Sequence, residues 1–296
     1  MKRLILPVVC LWMLLLACNI TTTTTPVVVQ PSATEPPVIV PTGTETPTEI
    51  PTVPPLPTAT STVTPILANV ICQELSLYLD PSLASGYSCE TVLASGPDEM
   101  LVHPTYTKLT ITGYALAGTF FKPQISVFPV QQYSEMRPDV IPDKVAELQT
   151  LAAGGPAPSF ASSFGSSLPF LPFLGAAEVF FARYQAVPFA SGSGIRYLTE
   201  FAQYSAPVNN NEIIYTYQGL TGDGKYWVSA ILPINHPILP ADAKSAMDGV
   251  DFNTWSNNFG TYITDMVNKL NTQDPNSFTP TLAVLDALVS SITIQP

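Results

Sequence analysis

Between Thr21 and Pro65 the chain runs for 45 residues, of which 15 are Thr and 11 are Pro, and only Glu35, Glu45 and Glu49 carry charge. Each proline removes an amide donor and fixes φ, so neither a helix nor a paired strand propagates through such a segment. The tract is expected to be extended and semi-rigid, at about 3.1 Å per residue, with an upper reach of about 140 Å. Its threonines also match the composition of O-glycosylated stalks. Any fold must therefore come from the apolar residues after Pro65, which are punctuated by Gly and Asn as far as Pro296. About 230 residues favour one domain.

The residues before the tract read as an address. Lys2 and Arg3 precede an apolar run from Leu4 to Leu16, and the small Ala17 precedes Cys18. This is the pattern of a secretory signal with cleavage before the cysteine. The 14 residues from Leu4 to Ala17 fall short of the about 20 a membrane span requires. Cys10 lies inside the leader's apolar core and leaves with it. Leu15, Ala17 and Cys18 resemble the bacterial lipoprotein lipobox. That resemblance implies a lipidated, palmitate-bearing Cys18 and an extracytoplasmic protein held at the cell membrane by its lipid. The expected organisation is a signal peptide at 1–17, a disordered linker at 18–66 and a single α+β domain at 67–296.

Residues 67–296 carry 9 Lys plus Arg against 19 Asp plus Glu, a net charge of −10. Phosphate backbones need concentrated basic charge, so a nucleic-acid partner is excluded, and the lipid rather than the domain surface is the expected membrane contact. Cys72 and Cys89 are expected to form a disulfide, because a lone pair outside the cytoplasm oxidises. There is no CxxC and no nearby His to favour a metal or redox pair.

Lys108–Thr112 and Gln124–Val130 read as strands. Pro142 in a first turn, followed by Val145, Leu148, Leu151 and Ala152, predicts a helix ending at Gly154-Gly155. Four strand-length runs follow, Val179–Phe189, Ile195–Tyr204, Glu212–Gly219 and Lys225–Leu232, separated by turn chemistry at Ser191–Gly194, Val208–Asn211 and Thr221–Gly224. They predict an antiparallel meander with side chains of substance on both faces. Phe259, Tyr262, Ile263, Met266, Val267 and Leu270 follow a helical period. Thr279-Pro280 is the expected cap and first turn of a further helix through Leu282, Leu285, Leu288 and Val289, and Ser291–Ile294 alternates as a last strand. The fold class is therefore α+β, an antiparallel meander with packed helices.

This order, with Lys225–Ala230 and the terminal Ser290–Ile294, resembles the Mog1/PsbP-like α/β/α sandwich, a fold that hosts binding and accessory proteins. The segments Tyr78–Cys89 and Gly219–Pro233 also resemble uncharacterised bacterial lipoproteins sharing YLDPSLASGxxC and GLTxDGxYWVxAILP. Neither resemblance brings site residues.

No HExxH, GxSxG, Walker or Rossmann signature occurs, and nothing points to a cofactor. His103 and His236 read as loop residues before prolines. Asp139, Asp143, Asp248 and Asp251 have the spacing of caps and solvated faces, and Asp223 that of a turn. The unusual feature is Phe160, Phe164, Phe170 and Phe173 in and beside a Gly/Pro/Ser-rich loop that leads into Leu174. These rings either fold over the core or offer a contact surface to an apolar ligand or a protein partner. The expected function is a non-enzymatic binding or accessory domain, the alternative a secreted hydrolase whose site carries no recognisable motif.

Overall fold

The structure is a computed structural model that describes residues 67–96, 101–156 and 167–295. All of them fall in one compact unit, 62–296. In chain order the elements are β1 (Val70–Cys72), β2 (Leu75–Leu77), β3 (Gly86–Val92), β4 (Tyr106–Thr112), β5 (Gln124–Pro129), α1 (Val130–Met136) and α2 (Ile141–Ala152). There follow β6 (Ala177–Phe189), β7 (Gly192–Ala202), β8 (Ile214–Thr221), β9 (Tyr226–Pro233), α3 (Ala243–Ala246), α4 (Phe252–Thr272), α5 (Leu282–Ser290) and β10 (Thr293–Ile294). The class is α+β. A seven-stranded sheet runs in the order β3-β4-β5-β9-β8-β7-β6, every pair antiparallel, and a small sheet runs β1-β2-β10.

The expected meander is β6 through β9. Its attachment to the rest comes from β5, which pairs along β9 from Gln124 opposite Ile231 to Pro129 opposite Tyr226. Strand alternation then sorts side chains to two faces. Leu109, Ile125, Val127, Leu198, Tyr215, Tyr217, Val228 and Ala230 join a core shared with α4, α5 and the small sheet. Phe128, Ile195, Tyr197, Ile214, Trp227 and Ile231 join a second core closed by Tyr133 of α1, by Leu148 and Leu151 of α2 and by Leu168–Leu171. On the α4 face the glycines Gly194 and Gly219 lie opposite each other, and a Cβ at Gly219 would stand 2.6 Å from the Tyr217 hydroxyl. Their lack of side chains makes room for that ring.

Cys72 and Cys89 are disulfide-bonded with Cα atoms 5.6 Å apart, tying β1 to the edge strand β3. Closing a loop of 17 residues limits the unfolded chain, and such a loop contributes about 3 kcal/mol.

Several boundaries differ from the sequence expectation. Strand β5 ends at Pro129 and the chain passes directly into α1, whose seven residues bury only Tyr133 and so present no helical period to read. Helix α4 begins at Phe252, where Asp251 accepts a hydrogen bond from the Thr254 amide. Thr279 does not cap α5. Its backbone exchanges hydrogen bonds with Asn235, and Thr281 is the cap, accepting from the Val284 amide. Asp223 accepts from the Thr221 hydroxyl and the Lys225 amide, which together with the Lys225 ammonium lower its pKa to about 2.

Candidate functional site

The second core is closed by an element with no regular structure. Leu168-Pro169-Phe170-Leu171-Pro172-Phe173-Leu174 cannot be a helix, because its prolines lack amide donors. It lies on the sheet as an irregular strap. A buried irregular backbone needs partners for its polar groups, and the sheet's side chains supply them. Gln218 Oε1 accepts from the Leu171 amide (3.1 Å), while Gln218 Nε2 donates to the Leu171 carbonyl (3.3 Å). The Ser229 hydroxyl donates to that same carbonyl, and the Tyr197 hydroxyl donates to Pro169 O (3.3 Å). Gln218 Oε1 also accepts from Trp227 Nε1 (2.8 Å), so one amide side chain joins strap, sheet and indole. Gln218 Nε2 also donates to Thr216 Oγ1 (2.9 Å), which accounts for the polar Thr216, Gln218 and Ser229 in the middle of otherwise apolar strands.

Two neighbouring cavities lie where the strap departs from the sheet. The smaller, about 230 Å³, is lined by Lys144, Leu168, Phe170, Phe173, Glu178 and Phe201 among others. The larger, about 430 Å³, is lined by Phe120, Phe121, Phe201, Tyr204 and Glu212 among others. Leu174, Ala176 and Phe201 wall both. The larger falls within the roughly 300–1,000 Å³ of small-molecule sites, and the aromatic lining with few polar groups matches their chemistry.

Glu178 is the unusual wall residue. Strict alternation would put it on the α4 face with Phe180. A bulge at Val179 instead sets Glu178 opposite Phe201 and Phe180 opposite Glu200, turning the carboxyl toward the α2 face. Its Oε2 accepts from the Leu168 amide (2.9 Å). Oε1 is sealed from solvent beside the Thr199 and Tyr197 hydroxyls, which donate to Phe180 O and Pro169 O. Burial pushes its pKa up to about 8, against the Leu168 amide, the Thr199 hydroxyl, the Lys144 charge and the Tyr197 hydroxyl, which pull it down.

Phe170 is 8% exposed and packs on Phe201 at a centroid distance of 4.5 Å. Phe173 is half-buried, 6.0 Å from the Tyr133 ring and under the Arg137 guanidinium at 5.4 Å. Both therefore belong to the core margin as well as to the cavity wall. Phe160, Phe164 and Cys18 lie outside the described residues. Lys144, Glu178 and Phe201 escape a sequence reading, since two of them sit in ordinary amphipathic contexts and the third depends on the bulge.

Other polar clusters are tied into the scaffold. The Ile238 amide donates to His236 Nδ1 (3.2 Å), so Nε2 carries the hydrogen and gives it to Ser277 Oγ (2.7 Å). The Ser277 hydroxyl points to the Asp274 carbonyl (2.6 Å), the reverse of a serine activated by a base. Burial lowers the His236 pKa. On the α4 face Glu200 is fully buried, which raises its pKa well above the ordinary carboxylate range, with Glu212 as carboxyl partner and the Asn209 amide donating to it (3.1 Å). Arg196 donates to the Arg183 carbonyl and to Gln185 Oε1 (2.6 Å) and pairs with Asp286 of α5 at 3.2 Å. His103 packs edge-on against Tyr106 at 5.2 Å. Among the described residues no three His, Cys, Asp or Glu side chains gather as a metal site would require, and no helix is long and apolar enough to cross a membrane. Comparison of the chain with protein-family models, curated proteins and solved structures finds no match.

Proposed function

We propose that this is an extracytoplasmic lipoprotein, anchored through Cys18, which displays a non-enzymatic binding domain for an apolar ligand on a Pro/Thr stalk. The observation that carries the binding reading is the pair of aromatic-walled cavities meeting at Phe201, beside a strap whose backbone is held by Gln218 and Ser229. A non-enzymatic role is supported by the polarity of the His236–Ser277 contact, which leaves the imidazole without a free acceptor nitrogen. The anchor rests on the leader and Cys18. Each buried lipid methylene contributes about 0.8 kcal/mol, so two or more acyl chains hold where one would exchange.

Two experiments test the halves separately. Native mass spectrometry of the full chain carrying Cys18→Ser should find a retained small apolar molecule, and N-phenylnaphthylamine should gain fluorescence with the protein and lose that gain in Phe201→Ser. No adduct and no dye binding would overturn the binding half. In cells, a palmitate analogue should label the native chain and not Cys18→Ser. Persistent labelling of the variant would overturn the anchor.

A further inference from the structure

The larger cavity is walled by separate segments of the chain. Phe120 and Phe121 precede β5, Phe201 and Tyr204 stand at the end of β7, and Glu212 lies in the turn before β8. Hydrogen bonds tie these walls to one another. The Phe120 amide donates to Asn211 O (2.8 Å), next to Glu212, and Gln203 Nε2 donates to Gly175 O (2.7 Å). The Phe120 and Phe121 rings meet edge-on, 5.1 Å apart at 83°, and so offer two differently directed faces. Phe120 is 66% and Tyr204 49% exposed, aromatic surface that the core does not use. The charge of the wall has one sign. Among the described residues that line it, Glu212 is the one acidic side chain, and there is no Lys or Arg. Asn209 Nδ2 spans Glu212 Oε2 (3.0 Å) and Glu200 Oε1 (3.4 Å). Neighbouring carboxyls resist ionising together. Burial raises the Glu200 pKa and the Glu212 charge adds to this, against the Asn209 amide, so the negative charge of the pair stays on the half-buried Glu212 at the cavity wall.

A neutral guest would use the rings and leave this carboxylate without a counter-charge, and an anion would be repelled by it. An organic ammonium uses both. Aromatic faces carry a negative potential that attracts a cation within about 6 Å of the ring centre, and the carboxylate supplies a full charge. The net charge of −10 over residues 67–296 draws the same sign of guest from a distance. The smaller cavity, with Lys144 on its wall, does not share this character. From this geometry we infer that the larger cavity seats amphipathic organic cations, with the ammonium head among Phe120, Tyr204 and Glu212 and the apolar body against Phe121, Leu174 and Phe201; this rests on the apolar-binding reading above and adds the head group that its ligand carries.

The test is isothermal titration of the full chain carrying Cys18→Ser with octyltrimethylammonium, octanol and octanoate, three probes with one tail and different heads. Octyltrimethylammonium should bind at least about tenfold more tightly than octanol, and octanoate should bind most weakly. Glu212→Gln keeps an acceptor for Asn209 and removes the charge, so it should bring the cation close to octanol while leaving octanol unchanged. Tyr204→Leu alters a half-exposed side chain that the fold does not depend on. It keeps an apolar wall without the ring, and should weaken the cation severalfold and octanol little. A merely structural role for either residue would weaken all three probes alike and leave their ratios unmoved. Equal binding of the three, or tightest binding of octanoate, would overturn the assignment. Binding of none of them with N-phenylnaphthylamine still bound would overturn it and leave the apolar-binding reading standing, whereas loss of the dye as well would remove both.

Discussion

The two faces of the seven-stranded sheet are closed in different ways. On the α4 face, helices satisfy their own backbone and present only side chains. Phe259, Ile263, Met266 and Leu270 of α4, with Leu285 and Leu288 of α5, meet Tyr215, Tyr217 and Val228 of the sheet. On the α2 face a proline-bearing strap covers part of the sheet beside α1 and α2, so the sheet itself must complete the strap's hydrogen bonds through Gln218, Ser229 and Tyr197. A helix packs to crystal-like density because its ridges fill grooves. A strap pinned at a few carbonyls does not, and cavities remain where it leaves the sheet. The site candidate thus lies on the face where sheet side chains hold an irregular backbone.

If this contrast is right, substitutions should break the two faces by different mechanisms. The largest effect is expected for Gln218→Met, which removes the partner of the Leu171 amide and of Trp227 Nε1 while keeping volume. Leaving two buried donors unsatisfied should lower the unfolding free energy by about 4 kcal/mol. On the other face, Leu270→Ala should cost about 3 kcal/mol through lost burial and a cavity, with no polar group orphaned. Urea unfolding measures both, and a Gln218→Met loss well below that of Leu270→Ala would dissolve the contrast. Removing the disulfide with Cys72→Ala and Cys89→Ala should also cost about 3 kcal/mol, read as a shift in the same midpoint.

A pH series sharpens the comparison further. Glu178 and Glu200 both have folded pKa values raised by burial, Glu178 to about 8. A carboxyl that binds its proton more tightly when folded contributes stability below the ordinary carboxylate range and loses it as pH rises through the folded value. The Glu178 contribution should therefore fall from about pH 5 to pH 8, at up to about 1.4 kcal/mol per pH unit, and the Glu200 contribution should fall in the same direction. Glu178→Gln should flatten the part belonging to the α2 face and leave the Glu200 part. An unchanged slope would show that Glu178 ionises freely in the fold. The smallest effect is expected for Thr281→Ala, about 1 kcal/mol for a lost N-cap of α5, measured as a small drop in Tm.

The elements with a strong period were legible in the chain. The β6–β9 meander, the apolar ridge of α4 and the first-turn proline of α2 stand in the structure where alternation and helical spacing put them. Short elements were not, since three-residue strands such as β1 and β2 contain less than two full alternations. The candidate site was legible in part. The phenylalanines at 170 and 173 stand out in the sequence as aromatics in a proline-rich segment, but their packing on Phe201 and Tyr133 depends on contacts far along the chain.

What the sequence by itself determined are the properties that composition and local period carry: a Thr/Pro-rich tract, an acidic stretch after it, a pair of cysteines, an α+β class and the faces of long regular elements. Only the tertiary structure decided the pairing of β5 with β9, the cap at Thr281 and the direction of Glu178. Each of these turns on a partner distant in sequence or on a register shift of one residue. In a sheet, one residue of slip moves a side chain from one face to the other. The bulge at Val179 does this to Glu178 and so sets its carboxyl on the cavity wall.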